Sequence, residues 1–309
     1  MMQFREERTR RLFLRDLGLL AGGAAAASGL PALSAGDEAA DLVVASGDDA
    51  KAIVKKAVAE LGGMKKFVSK GDVVVVKPNI AWIRKPETAS NTNPDVIAGL
   101  IEMALDAGAK EVKVFDRTDR PPKDCYDSSG IGEAARKLGA TILYQNEMKT
   151  VKIPLPQGVH IKEAVVARDA MECDCFINVP VAKHHGSTKL SIAMKNHMGV
   201  VFEGTHRIWH ANLNQAIPDF ALHFKPKLTV VDAYRILFRG GPAGGNLNDV
   251  QTPQKCIVGV DQAAADAYST TLFPMWAKQP TDIIHIALAG KMGVGQIDLA
   301  KLRIREVKA

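Results

Sequence analysis

The chain of 309 residues carries 40 Lys+Arg against 34 Asp+Glu, a formal charge of +6, with 47% hydrophobic and 24% charged residues. This length and balance exclude a disulfide-stapled mini-protein and a low-complexity chain, and leave room for one large domain or two modest ones. Beyond residue 35 the surplus falls to +4 and aromatics are only 6%, so neither charge nor base stacking supports a nucleic-acid partner, while a small anionic ligand stays compatible.

At the start, Thr9-Arg10-Arg11-Leu12-Phe13-Leu14-Arg15 precedes an uncharged Gly/Ala-rich run, 17–35, broken by Pro31. It resembles a twin-arginine export signal, with paired Arg and Phe-Leu ahead of a weakly apolar core. The expected division is a signal peptide over 1–35 and a single α/β domain over 36–309. The resemblance implies export in the folded state by the twin-arginine translocation machinery and a periplasmic location. No stable membrane span is expected after cleavage, because the run is short and interrupted by Gly and Pro.

Strands and helices then alternate. A strand is predicted over 41–47 and a helix from the Asp48/Asp49 cap to Leu61, stopped by Gly62-Gly63. The run 72–77 (DVVVVK) has the continuous β-branched character of a strand buried on both faces. Asn93-Pro94 opens a helix to Ala107, followed by strands over 111–116 and 141–144 with a helix over 128–138 between them. A β-hairpin insert is predicted over 150–168, further strands over 173–179, 228–231 and 256–260, and helices over 188–198, 209–224, 262–273 and 281–288. This order predicts an α/β fold with a mainly parallel sheet flanked by helices, compatible with two closely packed lobes and a ligand cleft at the carboxyl ends of the strands.

The residues at those strand ends are polar: Lys77-Pro78-Asn79, Asp116, Asn178 to Lys183, Asp232 and Asp261. Pro78 and Pro180 hold the preceding residues extended, so both segments leave the sheet as stiff arms. The densest chemistry lies between Lys183 and His210, which holds five of the eight histidines with Lys183, Lys189, Lys195 and Arg207. On a helix over 188–198, Thr188, Ser191 and Lys195 form a polar stripe while His197 faces the core. His206 and His210, four apart, can grip one divalent transition metal, with Asp232 or Asp219 adding an oxygen.

Other chemistries find little footing. Cys125, Cys173, Cys175 and Cys256 lack zinc-ribbon or iron–sulfur spacing, and Cys173-Asp-Cys175 reads as two core thiols on one side of a strand. The glycine-rich run 238–245 lacks the Lys-Ser/Thr ending of a phosphate-binding loop and reads as a mobile flap or tight turn, so no nucleotide is expected.

In order along the chain stand Lys77-Pro78-Asn79, Asn93-Pro94, Asp116, Ile177-Asn178-Val179-Pro180 with Lys183 and His185-Gly186, Lys195-Asn196 with Gly199, His206, Val231-Asp232-Ala233, Gly241-Pro242 and Asp261 with Ala265-Asp266-Ala267. This series resembles the domain-of-unknown-function 362 family and covers most of 41–273. Many members of that family append a ferredoxin-like module, so the resemblance implies a stand-alone, exported form without an iron–sulfur cluster. The family fold looks distantly like the nickel-pincer lactate racemase, with Lys and His in a cleft between two lobes, an analogy of fold alone.

Two functions are therefore expected. In the first, Lys183, His185, Lys195 and His206 carry acid–base chemistry of an isomerase or hydrolase kind on a small carboxylate or phosphate, the imidazoles having an ordinary pKa near 6.5. Lys77, Asn79, Asn178, Asn196, Arg207 and Asp116 would bind that substrate, and His206, His210 and Asp232 would hold any metal. In the second, the protein binds a metal or ligand in the periplasm without catalysis.

Overall fold

Successive residues of a strand send their side chains to opposite faces, and in the central strands, rich in valine and isoleucine, both faces are buried. The structure is a computed structural model that describes residues 39–309; the export-signal reading of 1–35 lies outside them. The strands are β1 (Leu42–Ser46), β2 (Val73–Pro78), β3 (Glu111–Val114), β4 (Thr141–Ile142), β5 (Thr150–Pro154), β6 (Glu163–Ala167), β7 (Cys175–Val179), β8 (Val181–His185), β9 (Lys189–Ser191), β10 (Leu228–Leu237), β11 (Val250–Gln251), β12 (Lys255–Gly259) and β13 (Ile304–Lys308). The helices are α1 (Ala50–Glu60), α2 (Pro94–Asp106), α3 (Pro122–Ser128), α4 (Ile131–Lys137), α5 (Arg168–Glu172), α6 (Ala193–Asn196), α7 (Glu203–Ala211), α8 (Leu213–His223), α9 (Gln262–Ser269) and α10 (Ile284–Met292).

The main sheet runs β13-β1-β12-β10-β7-β2-β3-β4. Its neighbours are parallel except around β12, which is antiparallel to both β1 and β10. The expected α/β fold with a mainly parallel, helix-flanked sheet is therefore present. Val43, Val74, Val76, Ile177 and Val258 pack with Ile53, Val54, Ile97 and Ile101 of α1 and α2 on one face. Val44, Val75, Phe176, Val231 and Ile257 pack with Ile217, Phe220, Ala264 and Ile286 of α8, α9 and α10 on the other. This period-two partition is the α/β/α sandwich written in residues.

The insert over 150–168 is an antiparallel pair, β5 with β6, as predicted. Several boundaries differ. The helix expected over 188–198 begins only at Ala193, because Lys189–Ser191 pairs as β9 with β8; α6 is one turn whose first amides, of Ala193 and Met194, donate to the buried Asp266 carboxylate at 2.6 and 3.2 Å. Strand β10 runs ten residues, so Asp232 lies mid-strand rather than at its end. Since β12 runs antiparallel, Asp261 falls at the opposite edge of the sheet, where it accepts from Ala263 and Ala264 as the cap of α9. Cys173 ends α5 and packs with the α8–α10 face while Cys175 packs with the α1–α2 face, so the two thiols are on opposite sides rather than one. All four cysteines are free, and burial pushes the Cys173 and Cys175 thiols up to about 12.

Candidate functional site

Three chain segments leave the carboxyl ends of β2, β3 and β7 together. After β2, Pro78 keeps the backbone extended, and the turn over 79–93 is stapled by its own asparagine: Asn91 accepts from the Trp82 amide (3.2 Å) and donates to the carbonyls of Trp82 (2.9 Å) and Arg84 (3.2 Å). Thr92 closes the base of the turn, receiving the Asn79 amide (2.8 Å) and donating to the Val179 carbonyl of β7 (2.8 Å). From β7, Pro180 continues the chain into β8 with no turn, and the two strands pair in succession along β10. Lys183 thereby projects beside Asn79, opposite in direction to the core residue Ala182.

These segments enclose a pocket of about 220 Å³. Lys183, His185, Lys195 and His206, expected to carry the chemistry, all line it, as do the expected binding residues Asn79, Asn196 and Asp116. Trp82, Arg117, Asp119, Ser191, Met198, Gly199, His210 and Pro242 complete most of the wall.

Lys77 and Asn178 do not line the pocket; they are fully buried beneath it. The Lys77 ammonium lies 2.6 Å from Asp116 Oδ1, donates to the Pro78 carbonyl (2.7 Å) and to Asn196 Oδ1 (3.1 Å). Asp116 Oδ2 accepts from the Ile80 amide at 2.6 Å. Burial pushes the Lys77 ammonium down and the Asp116 carboxyl up, each opposed by the other's charge. Asn178 accepts from Asn196 Nδ2 (2.9 Å) and donates to the Ala193 carbonyl (2.9 Å), tying α6 to β7. Thus both residues position Asn196 rather than meet a ligand. Gly199 lies directly over this floor: a Cβ there would come 1.7 Å from Asp116 Oδ1 and 2.5 Å from Lys77 Nζ, so only glycine lets the backbone cross.

Asp232 is also elsewhere. Its carboxylate accepts from the amides of Asn93 (2.7 Å) and Tyr234 (3.1 Å), and burial raises it to about 6. Asp219 likewise is spent on the amides of His160 and Ile161. His206 and His210 do stand together at the pocket, ring centroids 4.7 Å apart on α7, but among the described residues no third His, Cys, Asp or Glu joins them in a metal-sized group. Arg207, expected to bind substrate, is exposed on α7 outside the pocket lining. His197 sits in the core between Phe176, Phe220 and Phe224 with Nε2 2.5 Å from Gln262 Oε1. His184 faces the glycine-rich loop: its Nδ1 receives the Gly241 amide (3.1 Å) and its ring lies on Trp276. A Cβ at Gly241 would meet the His184 carbonyl at 2.0 Å, and Ser90 Oγ and Arg84 Nε bond the Ala243 carbonyl, so this loop is a docked turn and not a free flap.

The two wall lysines are in a different state from Lys77. Lys183 Nζ donates to Asn79 Oδ1 (2.7 Å) and the Ser90 carbonyl (2.6 Å), and among the described residues it has no carboxylate partner. Burial, helped by the charge of Lys195, brings it down to about 7. Lys195, half-buried on α6, meets only Met198 Sδ (3.4 Å) among the described residues, and burial brings it down to about 8. His185 Nδ1 accepts the amides of Ser187 (3.1 Å) and Thr188 (3.3 Å), and burial drops its pKa to about 2. The ring proton therefore sits on Nε2, which makes His185 a hydrogen-bond donor and not the base expected from an ordinary imidazole. His206, brought down to about 4 by burial and by the charges of Arg117 and His210, is neutral near pH 7, and the same shift leaves it a weak base unless a bound anion offsets those charges.

Sequence reasoning missed Trp82, Arg117, Asp119 and Pro242 as wall residues, whereas Ser191 stood on the polar stripe with Lys195. Asp119 and Arg117 follow Asp116 in an uninterrupted polar run after β3, which is the signal that points to them. Trp82 owes its place to the Asn91 staple, which no local pattern reveals.

The fold and pocket define an α/β protein whose sheet rim carries a lysine- and histidine-lined cavity. The chain belongs to the family described as Domain of unknown function (DUF362), matching it over residues 74–271, a segment that contains every pocket-lining residue. It is similar to the thylakoid-associated protein sll1697 of Synechocystis sp., 26% identical over 206 residues, or 62% of this chain; the match spans 60% of that relative's length. Among solved structures it is similar to a Thermotoga maritima protein (TM-score 0.41, 14% identity, 64% of this chain and 54% of that one). It is also similar to the lactate racemase apoprotein of Thermoanaerobacterium thermosaccharolyticum (TM-score 0.40, 12% identity, 63% and 50%).

Proposed function

We propose that this chain is an enzyme that takes a small carboxylate- or phosphate-bearing substrate into the pocket and moves a proton on it. The observation that carries this reading is that Lys183 and Lys195 line one cavity without a carboxylate partner among the described residues. Desolvated ammonium groups facing one cavity make an anion the favoured occupant, and each charge-assisted hydrogen bond to it contributes about 1.5–3 kcal/mol. Arg117 adds a third cation, and Asp119, 4.0 Å from it, is the one acid of the wall not matched by Lys77. In this reading His185 Nε2–H donates to the bound substrate and neutral His206 is the base.

The experiment has two readouts. Inorganic phosphate and small carboxylates should raise the thermal midpoint of the protein, and Lys195→Met should abolish the rise. Incubation of hydroxy and oxo acids in deuterated water should then show solvent exchange, at the hydroxyl-bearing carbon of a 2-hydroxy acid or at the C–H next to the oxo carbon of an oxo acid, slowed by His206→Ala. A midpoint rise without exchange for any acid would leave a binding protein, the second expected function; no rise with any anion would end the anion reading.

Location is a separate part of the proposal. Arg10-Arg11 ahead of a weakly apolar run supports export through the twin-arginine machinery. No helix among the described residues is long and apolar enough to cross a membrane. Replacing both arginines with lysine should leave the full-length precursor in the cytoplasm; unchanged appearance of a shortened periplasmic form would overturn this.

A further inference from the structure

We propose that Lys183 is an amine nucleophile and that the substrate of this pocket is a small oxo acid held as an imine, with Lys195 gripping its carboxylate. The inference rests on the anion-binding reading and narrows it to one chemical class.

The geometry distinguishes the two lysines. Lys183 Nζ sits on the pocket wall against two neutral acceptors, Asn79 Oδ1 at 2.7 Å and the Ser90 carbonyl at 2.6 Å. A neutral amine has two protons for two such oxygens, and its lone pair then occupies the third tetrahedral position, which has no partner among the described residues. Asn79 is itself fixed, its amide by Thr92 and its Nδ2 by Asn196 (3.3 Å), so the amine is aimed rather than swinging on a free stem. Lys195, more exposed and bonded only to Met198 Sδ, keeps its charge for the substrate's carboxylate. A desolvated lysine beside a second cation is the general arrangement that keeps an amine unprotonated near neutral pH, and the downward shifts of Lys183 to about 7 and Lys195 to about 8 fall in that order.

In the step, the Lys183 nitrogen adds to the oxo carbon, forming the C–N bond as the carbonyl π pair moves to oxygen. The oxygen leaves as water, carrying one proton from the amine and one from solvent, and an iminium remains. Its positive nitrogen acidifies the neighbouring C–H, whose proton neutral His206 accepts. No oxidant or reductant is consumed.

The test is reductive trapping of the full chain with pyruvate and cyanoborohydride, read by intact mass and peptide mapping. One reduced pyruvate per chain at Lys183 is expected, absent in Lys183→Arg and Lys183→Met, reduced at least tenfold in Lys195→Met, and suppressed by excess inorganic phosphate. On the wild type alone, trapping should rise through pH 7 and fall again above pH 8 as Lys195 loses its charge, a readout independent of whether a variant folds. Adducts scattered over surface lysines, insensitive to phosphate and to Lys183→Arg, would overturn the proposal. If phosphate still raises the thermal midpoint while no adduct forms at Lys183, the imine falls and the anion pocket stands; if neither occurs, both fall.

Discussion

Two buried lysines a few residues from the sheet rim meet opposite fates. Lys77, under the pocket, is sealed from solvent against Asp116 at 2.6 Å and spends its remaining protons on Pro78 and Asn196. Lys183, on the wall, is nearly as buried but bonds only neutral oxygens. A desolvated ammonium next to a carboxylate is an internal device, since its field is cancelled within the fold. One without a carboxylate leaves an uncancelled field in a cavity, which is the condition for binding an anion or for giving up a proton. Floor and wall thus differ by one counter-ion, and on the proposed reading that difference separates structure from chemistry.

The largest effect should come from breaking the floor. Asp116→Ala strands the Lys77 ammonium in the interior and should cost about 3–5 kcal/mol, read from the urea midpoint at constant slope. Restoring neutrality with Asp116→Ala plus Lys77→Met should recover part of that loss. A cost below about 1 kcal/mol would mean Lys77 is not held by its pair. Gly199→Ala attacks the same pair from above. Its Cβ cannot share space with Asp116 Oδ1, so the segment after α6 must lift, at about 1–3 kcal/mol, the cost of overpacking a well-filled site. Because Asn196 hangs from Lys77, this variant should also weaken phosphate binding although Gly199 bears no polar side chain.

How far the sequence foretold this follows from the same contrast. The sheet was legible because burial on both faces is written in continuous β-branched runs such as 73–77, and so were Lys183, His185, Lys195 and His206 as pocket residues, since they cluster within one stretch of chain. What local pattern did not carry was pairing across strands. Lys77 and Asp116 each ended a strand and looked alike as binding residues; only the parallel register of β2 and β3 places one against the other. Asp232 was misplaced by the length of β10 and Asp261 by the reversed direction of β12, both properties of topology rather than of a nearby residue. His185 was visible as an imidazole but not as one whose Nδ1 is taken by the amides of Ser187 and Thr188, which needs the turn in three dimensions.

On the wall the expected signs reverse. Lys195→Met removes a desolvated cation that has only a thioether for company, so stability should be unchanged or slightly raised while the phosphate-induced midpoint rise disappears. A loss above about 2 kcal/mol, the scale of a broken buried polar network, would move Lys195 to the floor's category.

The smallest effect sharpens the comparison through pH. Both wall lysines have folded-state pKa values below the free-lysine value of 10.5, about 7 for Lys183 and about 8 for Lys195. A lowered base binds fewer protons folded than unfolded in the interval between the two values, so its contribution makes stability rise with pH there. A bound anion favours the charged lysines and opposes this trend. Measured with sulfate, whose charge is constant over this range, the stabilisation of about 1.4 kcal/mol at tenfold excess over its Kd should therefore be largest below pH 7 and fade as pH climbs through 7 to 8. Lys77, locked to Asp116, has no such solvent-facing titration to lend, so in Lys195→Met with Lys183→Met the sulfate effect should vanish at every pH. A residual effect in that double variant that still faded between pH 7 and 8 would point to another cation of the wall.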